Sequence, residues 1–232
     1  YYRTMDYDDY TKDSVGGVAR FSYPLGEYTR SYWGYNLEHY RVHDVEDKAS
    51  DTLKDSEGTH WSSSVYVGAT RDTTNRAQNP SEGTINTVRI SMGGGPLQGD
   101  NDYVKYIYRS EYYHPLWWET IFHVKGQIGL VHQNFGGSDI PVFERFTLGG
   151  LGSVRGYGWN KISPIDSDTG DRIGGTKELF INLEYLVPIS EEMGIVGVTF
   201  FDAGNTWKEG EWYFDDTKQA NGDALLLGLY KS

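Results

Sequence analysis

The feature that most restricts the fold of this chain is a two-residue alternation. It recurs over long segments and carries charged side chains in the middle of its polar parity. In Ile121 to His132, Phe122, Val124, Ile128 and Leu130 share one face, while His123, Lys125 and Gln127 share the other. Only an extended strand places residues i and i+2 on the same side, so such a segment cannot bury its apolar face as a helix. The same pattern runs through Val15–Tyr23, Tyr28–Val42, Trp61–Thr70, Thr84–Met92, Tyr103–Tyr113 and Leu179–Val187. Ile195–Trp207 is apolar on both parities, so the face of Asp202 is left unassigned, and Leu229 to Ser232 reads as the start of a further strand. The pattern predicts about eight complete strands.

Strand length and connection length narrow the architecture. The segments run about 9–15 residues, enough for a tilted membrane strand, whereas soluble strands usually run about 5–6. Compact turns around Pro24, Pro80, Pro115 and Pro188 alternate with long polar intervals at His43–Thr59, Asn134–Thr176 and Lys208–Leu227. That asymmetry predicts an antiparallel transmembrane β-barrel with short turns on one side and long loops on the other, its polar parity facing the lumen. The interval near Pro96 is the exception, since it belongs to the long-loop side yet is short. A soluble β-sandwich is the alternative that alternation alone leaves open. His43–Thr59, with no periodicity, reads as a solvated loop.

Composition agrees with a sheet protein: aromatic residues make up 15%, with 19 Tyr, 7 Trp and 29 Gly, and there is no cysteine. Such enrichment favours strands and turns, and the missing thiols exclude a disulfide scaffold or a thiolate metal site. A net charge of −12 disfavours nucleic acid as a partner, because long-range repulsion from phosphate has no counterweight. No stretch is long and apolar enough for a membrane helix. Tyr1 to Asp6 has neither a basic nor an apolar leader region, so no signal peptide is expected there.

The motif search is mostly negative. Gly149, Gly150, Gly152 and Gly156 do not fit the dinucleotide spacing, and neither a G-x-S-x-G elbow nor an H-E-x-x-H pair occurs. No catalytic residue and no cofactor is therefore expected. Asp166–Asp171 has its glycine one position early for a calcium loop and lacks the closing glutamate, so it reads as a solvated turn. His39 and His43 share a parity without a third ligand and read as wall residues, and Trp117-Trp118 reads as part of an interfacial aromatic girdle. Leu148–Tyr157 stands apart, with four glycines around a single arginine. Either Arg155 is solvated at a loop tip, or the loop folds back into the barrel and pairs it with Glu184, the carboxylate that parity places inside.

Several segments resemble a known family. Phe143-Glu144-Arg145-Phe146, Val154-Arg155-Gly156-Tyr157, Ile162-Ser163-Pro164, Thr169-Gly170-Asp171, Ile173-Gly174-Gly175 and Phe200-Phe201-Asp202-Ala203-Gly204-Asn205-Thr206-Trp207 follow the barrel domain of the bacterial outer-membrane insertases and two-partner secretion transporters. This superfamily is also called the bacterial surface antigen family. Arg71-Asp72-Thr73, Asn79-Pro80 and Gly83 resemble its mid-barrel turn, so the likeness covers essentially the whole chain. It implies an integral protein of the bacterial outer membrane, with residues 1–232 a partial barrel lacking N-terminal and C-terminal strands and containing no POTRA domain. Residues 134–176 would be an extracellular loop that re-enters the lumen, pinned by Arg155 to Glu184 and Asp202. The implied function is non-enzymatic folding and insertion of client outer-membrane proteins, without cofactors, in the lipid bilayer and beside assembly-complex lipoproteins. The alternative within the superfamily is a transporter exporting a passenger polypeptide through the barrel.

Overall fold

The structure, a computed structural model, describes residues 1–6, 10–45, 49–134, 136, 140–190, 195–211, 213 and 228–230. The alternating segments become the strands of one antiparallel meander: β1 (Tyr2–Asp6), β2 (Thr11–Pro24), β3 (Thr29–His43), β4 (Gly58–Asp72), β5 (Gly83–Gly93), β6 (Tyr103–Pro115), β7 (Ile121–His132), β8 (Lys177–Ser190), β9 (Ile195–Trp207) and β10 (Gly228–Tyr230). Each strand pairs with its neighbours in sequence, so spatial order equals chain order. Within the described residues β1 pairs only with β2, and β10 only with β9. Among the described residues the sheet is thus a partial barrel wall of ten strands: the eight expected as complete, β10 where the start of a further strand was read, and β1. The short β1 was not legible as a strand, because five residues carry too little alternation to register.

The two faces are inverted relative to a soluble protein. Phe21, Trp33, Val67, Tyr108 and Ile181 lie on the outer parity and are exposed, whereas Gln127, Glu178, Asn182, Asp202 and Thr206 lie inside and are buried. An apolar exposed face over a polar interior suits lipid outside and a filled lumen inside, and it removes the sandwich alternative. The parity assignments made from sequence hold for every alternating segment. On β9 the structure settles the open question: Asp202 faces inward opposite Asn182 and is 2% exposed. Phe200 and Val198 share that inner parity, which is why the strand reads as apolar on both sides.

The connections divide as expected between the two ends, with corrections on the long-loop side. The 43–59 interval is not merely solvated. A one-turn helix α1 (Asp51–Asp55) drives Leu53 into a cluster with Tyr10, Tyr40, Val42, Ala49 and Val142. One helical turn with one apolar residue has no period to detect. The segment after Pro96 is short yet folds down onto β4, where Asp100 Oδ2 accepts the Trp61 N–H at 2.7 Å. Trp117 and Trp118 are exposed at the compact-turn end. His39 and His43 lie on the outer parity, the former against the Trp61 ring and the latter 3.0 Å from Asp13 Oδ2. Most of Lys208–Leu227 lies outside the described residues.

Candidate functional site: a loop held against the inner wall

The interval between β7 and β8 folds back over the inner face as a ladder of small closures. Phe146 bridges to Gly175, Leu148 to Ile162 and Ile165 to Arg172, so one strand-like arm runs inward and the other returns. Leu148, Val154 and Ile162 are buried against Phe180 of β8, with Tyr157 packed at the edge. Burial of these side chains supplies the non-directional part of the docking, at roughly 1.5–3 kcal/mol for each large apolar group.

The glycines shape the tip. Gly149 has φ +117°, and a Cβ there would sit 2.2 Å from the Gly158 carbonyl oxygen. Gly150 and Gly156 also adopt positive φ, whereas Gly152 does not and is open to solvent. The Ser153 hydroxyl accepts the Gly149 N–H and donates to the Gly149 carbonyl, closing the turn on itself. The result presents Val154 downward into the apolar cluster and Arg155 sideways toward the wall.

Arg155 meets the wall through two carboxylates. Asp202 Oδ2 accepts both the backbone N–H of Arg155 at 2.9 Å and its Nε–H at 2.7 Å, while Oδ1 accepts Nη2–H at 2.6 Å. The remaining edge of the guanidinium reaches Glu184, with Nη1 2.6 Å from Oε1. Its flat face lies 3.6 Å from the centre of the Phe200 ring. The arginine is therefore held by a fork, an end-on ion pair and a cation–π contact at once. Its side chain retains 18% exposure and that of Asp202 only 3%.

The structure brings together Arg155, Glu184, which parity had placed inside, and Asp202, which the resemblance had supplied, and it adds four residues not named from the sequence as their partners. Asn182 donates to Asp202 Oδ1 at 2.7 Å and also to the Ser153 carbonyl. His123 lies opposite Glu184 in the β7–β8 register, with Nδ1 2.8 Å from Oε2. Lys125 Nζ donates to the Gly152 carbonyl at 2.9 Å, and Phe200 lies opposite Glu184 on β9. Parity had placed His123, Lys125 and Asn182 on the polar face; only the register identifies their partners.

Further ties hold the same loop along its length. Phe143 and Phe146 lie under Lys12 and Lys105, whose ammonium groups stand 3.7 and 4.6 Å from the ring centres. Lys105 also donates to the Glu144 carbonyl, and Arg109, Gln127 and Glu178 form a hydrogen-bonded chain beside Phe146. The 166–171 segment is a turn capped by its own first residue. Asp166 Oδ1 accepts the N–H groups of Asp168 and Thr169, which hold this carboxyl below the usual carboxylate range. Asp171 departs from a purely solvated reading, since its Oδ2 accepts the Ser50 N–H at 2.6 Å and joins the two long connections. The arrangement as a whole holds the loop against the inner wall.

Comparison with known proteins places this geometry in a family. The Omp85 superfamily domain matches residues 1–224. Outer membrane protein assembly factor BamA of Nitratidesulfovibrio vulgaris is 41% identical, over 90% of this chain and 26% of its own length. The BamA of Neisseria meningitidis serogroup B is 30% identical, over 92% of this chain and 28% of its own length. The chain thus spans about a quarter of the length of these curated relatives. The fold is shared with the crystal structure of BamA from Haemophilus ducreyi lacking POTRA domains 1-3. There the TM-score is 0.74 at 21% identity, over 86% of this chain and 42% of that one. With the inverted barrel wall and the arginine-held loop already described, the match over nearly the full chain shows that this protein belongs to the Omp85 superfamily and forms part of its integral outer-membrane barrel.

Proposed function

We propose that the full-length protein is an outer-membrane protein assembly factor, which folds client β-barrel proteins and inserts them into the outer membrane without enzymatic chemistry. Residues 1–232 are part of its barrel domain, and residues 134–176 are an extracellular loop folded back into the lumen. Arg155 is the pin of that loop, with Glu184 and Asp202 as its anchors and Val154, Gly156 and Tyr157 completing the tip. Clients, the outer-membrane bilayer and assembly-complex lipoproteins are its partners. The observation that carries the reading is the fork of Arg155 onto Asp202 in a chain whose relatives bear the assembly-factor name. Those names favour assembly over passenger export.

A loop docked by partly buried ion pairs keeps the lumen side of the wall in one arrangement while the rest of the barrel moves. The reading is tested in the full-length protein, reconstituted in liposomes, by client insertion rates for wild type and Arg155→Ala. Slower insertion together with lower heat resistance of the barrel is expected. Unchanged values of both would remove the pin from the mechanism.

A further inference from the structure

His123 is the buried group that the Arg155 pairing does not account for. It is 7% exposed, and its two ring nitrogens face carboxylates from opposite sides. Nδ1 lies 2.8 Å from Glu184 Oε2, so the proton of that bond belongs to the ring, because an ionised carboxylate only accepts. Nε2 points at Glu111 Oε2 from 3.8 Å and has no hydrogen-bond partner. In a neutral ring protonated at Nδ1, Nε2 would turn a lone pair toward that carboxylate, whereas in the imidazolium it turns an N–H.

The surroundings favour the cation by geometry as well. Tyr113 stacks on the imidazole with ring centres 4.2 Å apart and planes 7° from parallel, offering its π face. Its hydroxyl donates to the same Glu111 oxygen at 3.0 Å and orients it toward the ring. The charged groups facing this cluster are Asp72 from β4, which acts on Tyr113, Glu111 from β6, Lys125 from β7, Glu184 from β8, Asp202 from β9 and Arg155 from the loop. Four carboxylates against two fixed cations leave an excess of negative charge that an imidazolium reduces. Arg109 and Glu178, joined through Gln127, balance each other in the next row.

We propose that His123, as an imidazolium bridging Glu111 and Glu184, is the positioning residue that sets Glu184 for Arg155 and makes loop docking proton-dependent. Glu184 uses one oxygen for each partner, Oε2 for His123 and Oε1 for Arg155, so the ring decides how the second oxygen is aimed. Loss of the second ring proton would leave Glu111 and Glu184 unscreened from one another. It would also free Glu184 to swing away from the guanidinium.

This inference rests on the pin reading, and the test separates the two. Hydrogen exchange of the peptide 148–160, which includes the Arg155 amide bound to Asp202, is followed by mass spectrometry in the full-length protein. Measurements run from pH 5.5 to 8.5 and are corrected for intrinsic exchange. Wild type is expected to lose about tenfold in protection as pH rises and the ring gives up its second proton. His123→Gln keeps one donor toward Glu184 but cannot charge, so its protection should be flat at the level wild type shows at high pH. Glu111→Gln, which removes the carboxylate facing Nε2, should move the wild-type profile to lower pH and stands in if the His123 variant does not accumulate. A His123→Gln profile parallel to wild type, a flat wild-type profile, or an unmoved Glu111→Gln profile would each overturn the proposal. Arg155→Ala is the control for the pin: unchanged protection there would discard the pin itself, whereas lost protection with an intact pH profile in His123→Gln would discard only the role of His123.

Discussion

Asp202→Asn is the substitution that most directly measures the fork. Asp202 accepts three N–H groups from Arg155 and one from Asn182, and it is almost completely buried. An asparagine preserves the shape but replaces one acceptor oxygen by an amide donor, so on one edge a donor faces a donor. A hydrogen bond to a charged group is worth about 1.5–3 kcal/mol and a neutral one about 0.5–1.5. Losing the two bonds made by that oxygen, at about 2 kcal/mol each, adds to about 4 kcal/mol before the two on the other oxygen weaken. That agrees with the roughly 3–5 kcal/mol for breaking a buried pair from one side. Glu184→Gln should cost less, about 1–2 kcal/mol, because Glu184 meets Arg155 end-on through one oxygen and is less buried. The assay is the temperature at which the full-length barrel loses its folded gel mobility. At about 2–4 °C per kcal/mol for chains of this size, Asp202→Asn should lower it by on the order of 10 °C and Glu184→Gln by less than half of that. Equal effects, or a larger one for Glu184→Gln, would refute the ranking of the fork over the end-on pair.

Other substitutions probe the loop from different sides. Gly149→Ala should destabilise docking by more than about 2 kcal/mol, since it adds a Cβ against the Gly158 carbonyl to the left-handed backbone cost, while Gly152→Ala should be nearly neutral; protease resistance of the loop compares them. Leu53→Ala should cost about 2–5 kcal/mol locally and open α1 to proteolysis, leaving the sheet's heat resistance largely intact. The 166–171 turn should be insensitive to pH between about 5 and 8 and loosen only in strong acid. Its Asp166 carboxyl is held below the ordinary value, so its stabilisation is complete above that value and is lost as pH falls through the depressed one. Hydrogen exchange of the 163–175 peptide checks this, and loosening near neutral pH would contradict the capped-turn geometry.

Particular residues show how far the sequence could be read. Arg155 stood out because an arginine among glycines after a clean strand has few structural reasons to be there, and Glu184 followed from parity alone. Leu53 and β1 were invisible for the same reason as each other: a single helical turn and a five-residue strand are shorter than the patterns that announce them. His123 and Asn182 were visible as inward-facing but not as partners. Sliding β8 by two residues against β7 would keep every side chain on its face yet move Glu184 away from His123.

By itself, then, the amino-acid order determined the long strands, the two faces of those that alternate, the unequal connections and an arginine at a loop tip that was either solvated or paired. These follow from the fixed two-residue period of an extended backbone. The tertiary structure alone decided the register, and with it the quartet of Arg155, Glu184, Asp202 and Asn182 and the placement of His123 behind them. It also decided that Asp202 faces inward, because β9 is apolar on both sides where lipid flanks one face and the returning loop covers the other. Alternation encodes which face a residue occupies, whereas the identity of its neighbour depends on how strands slide past one another, and that is settled only when the sheet closes around its loop.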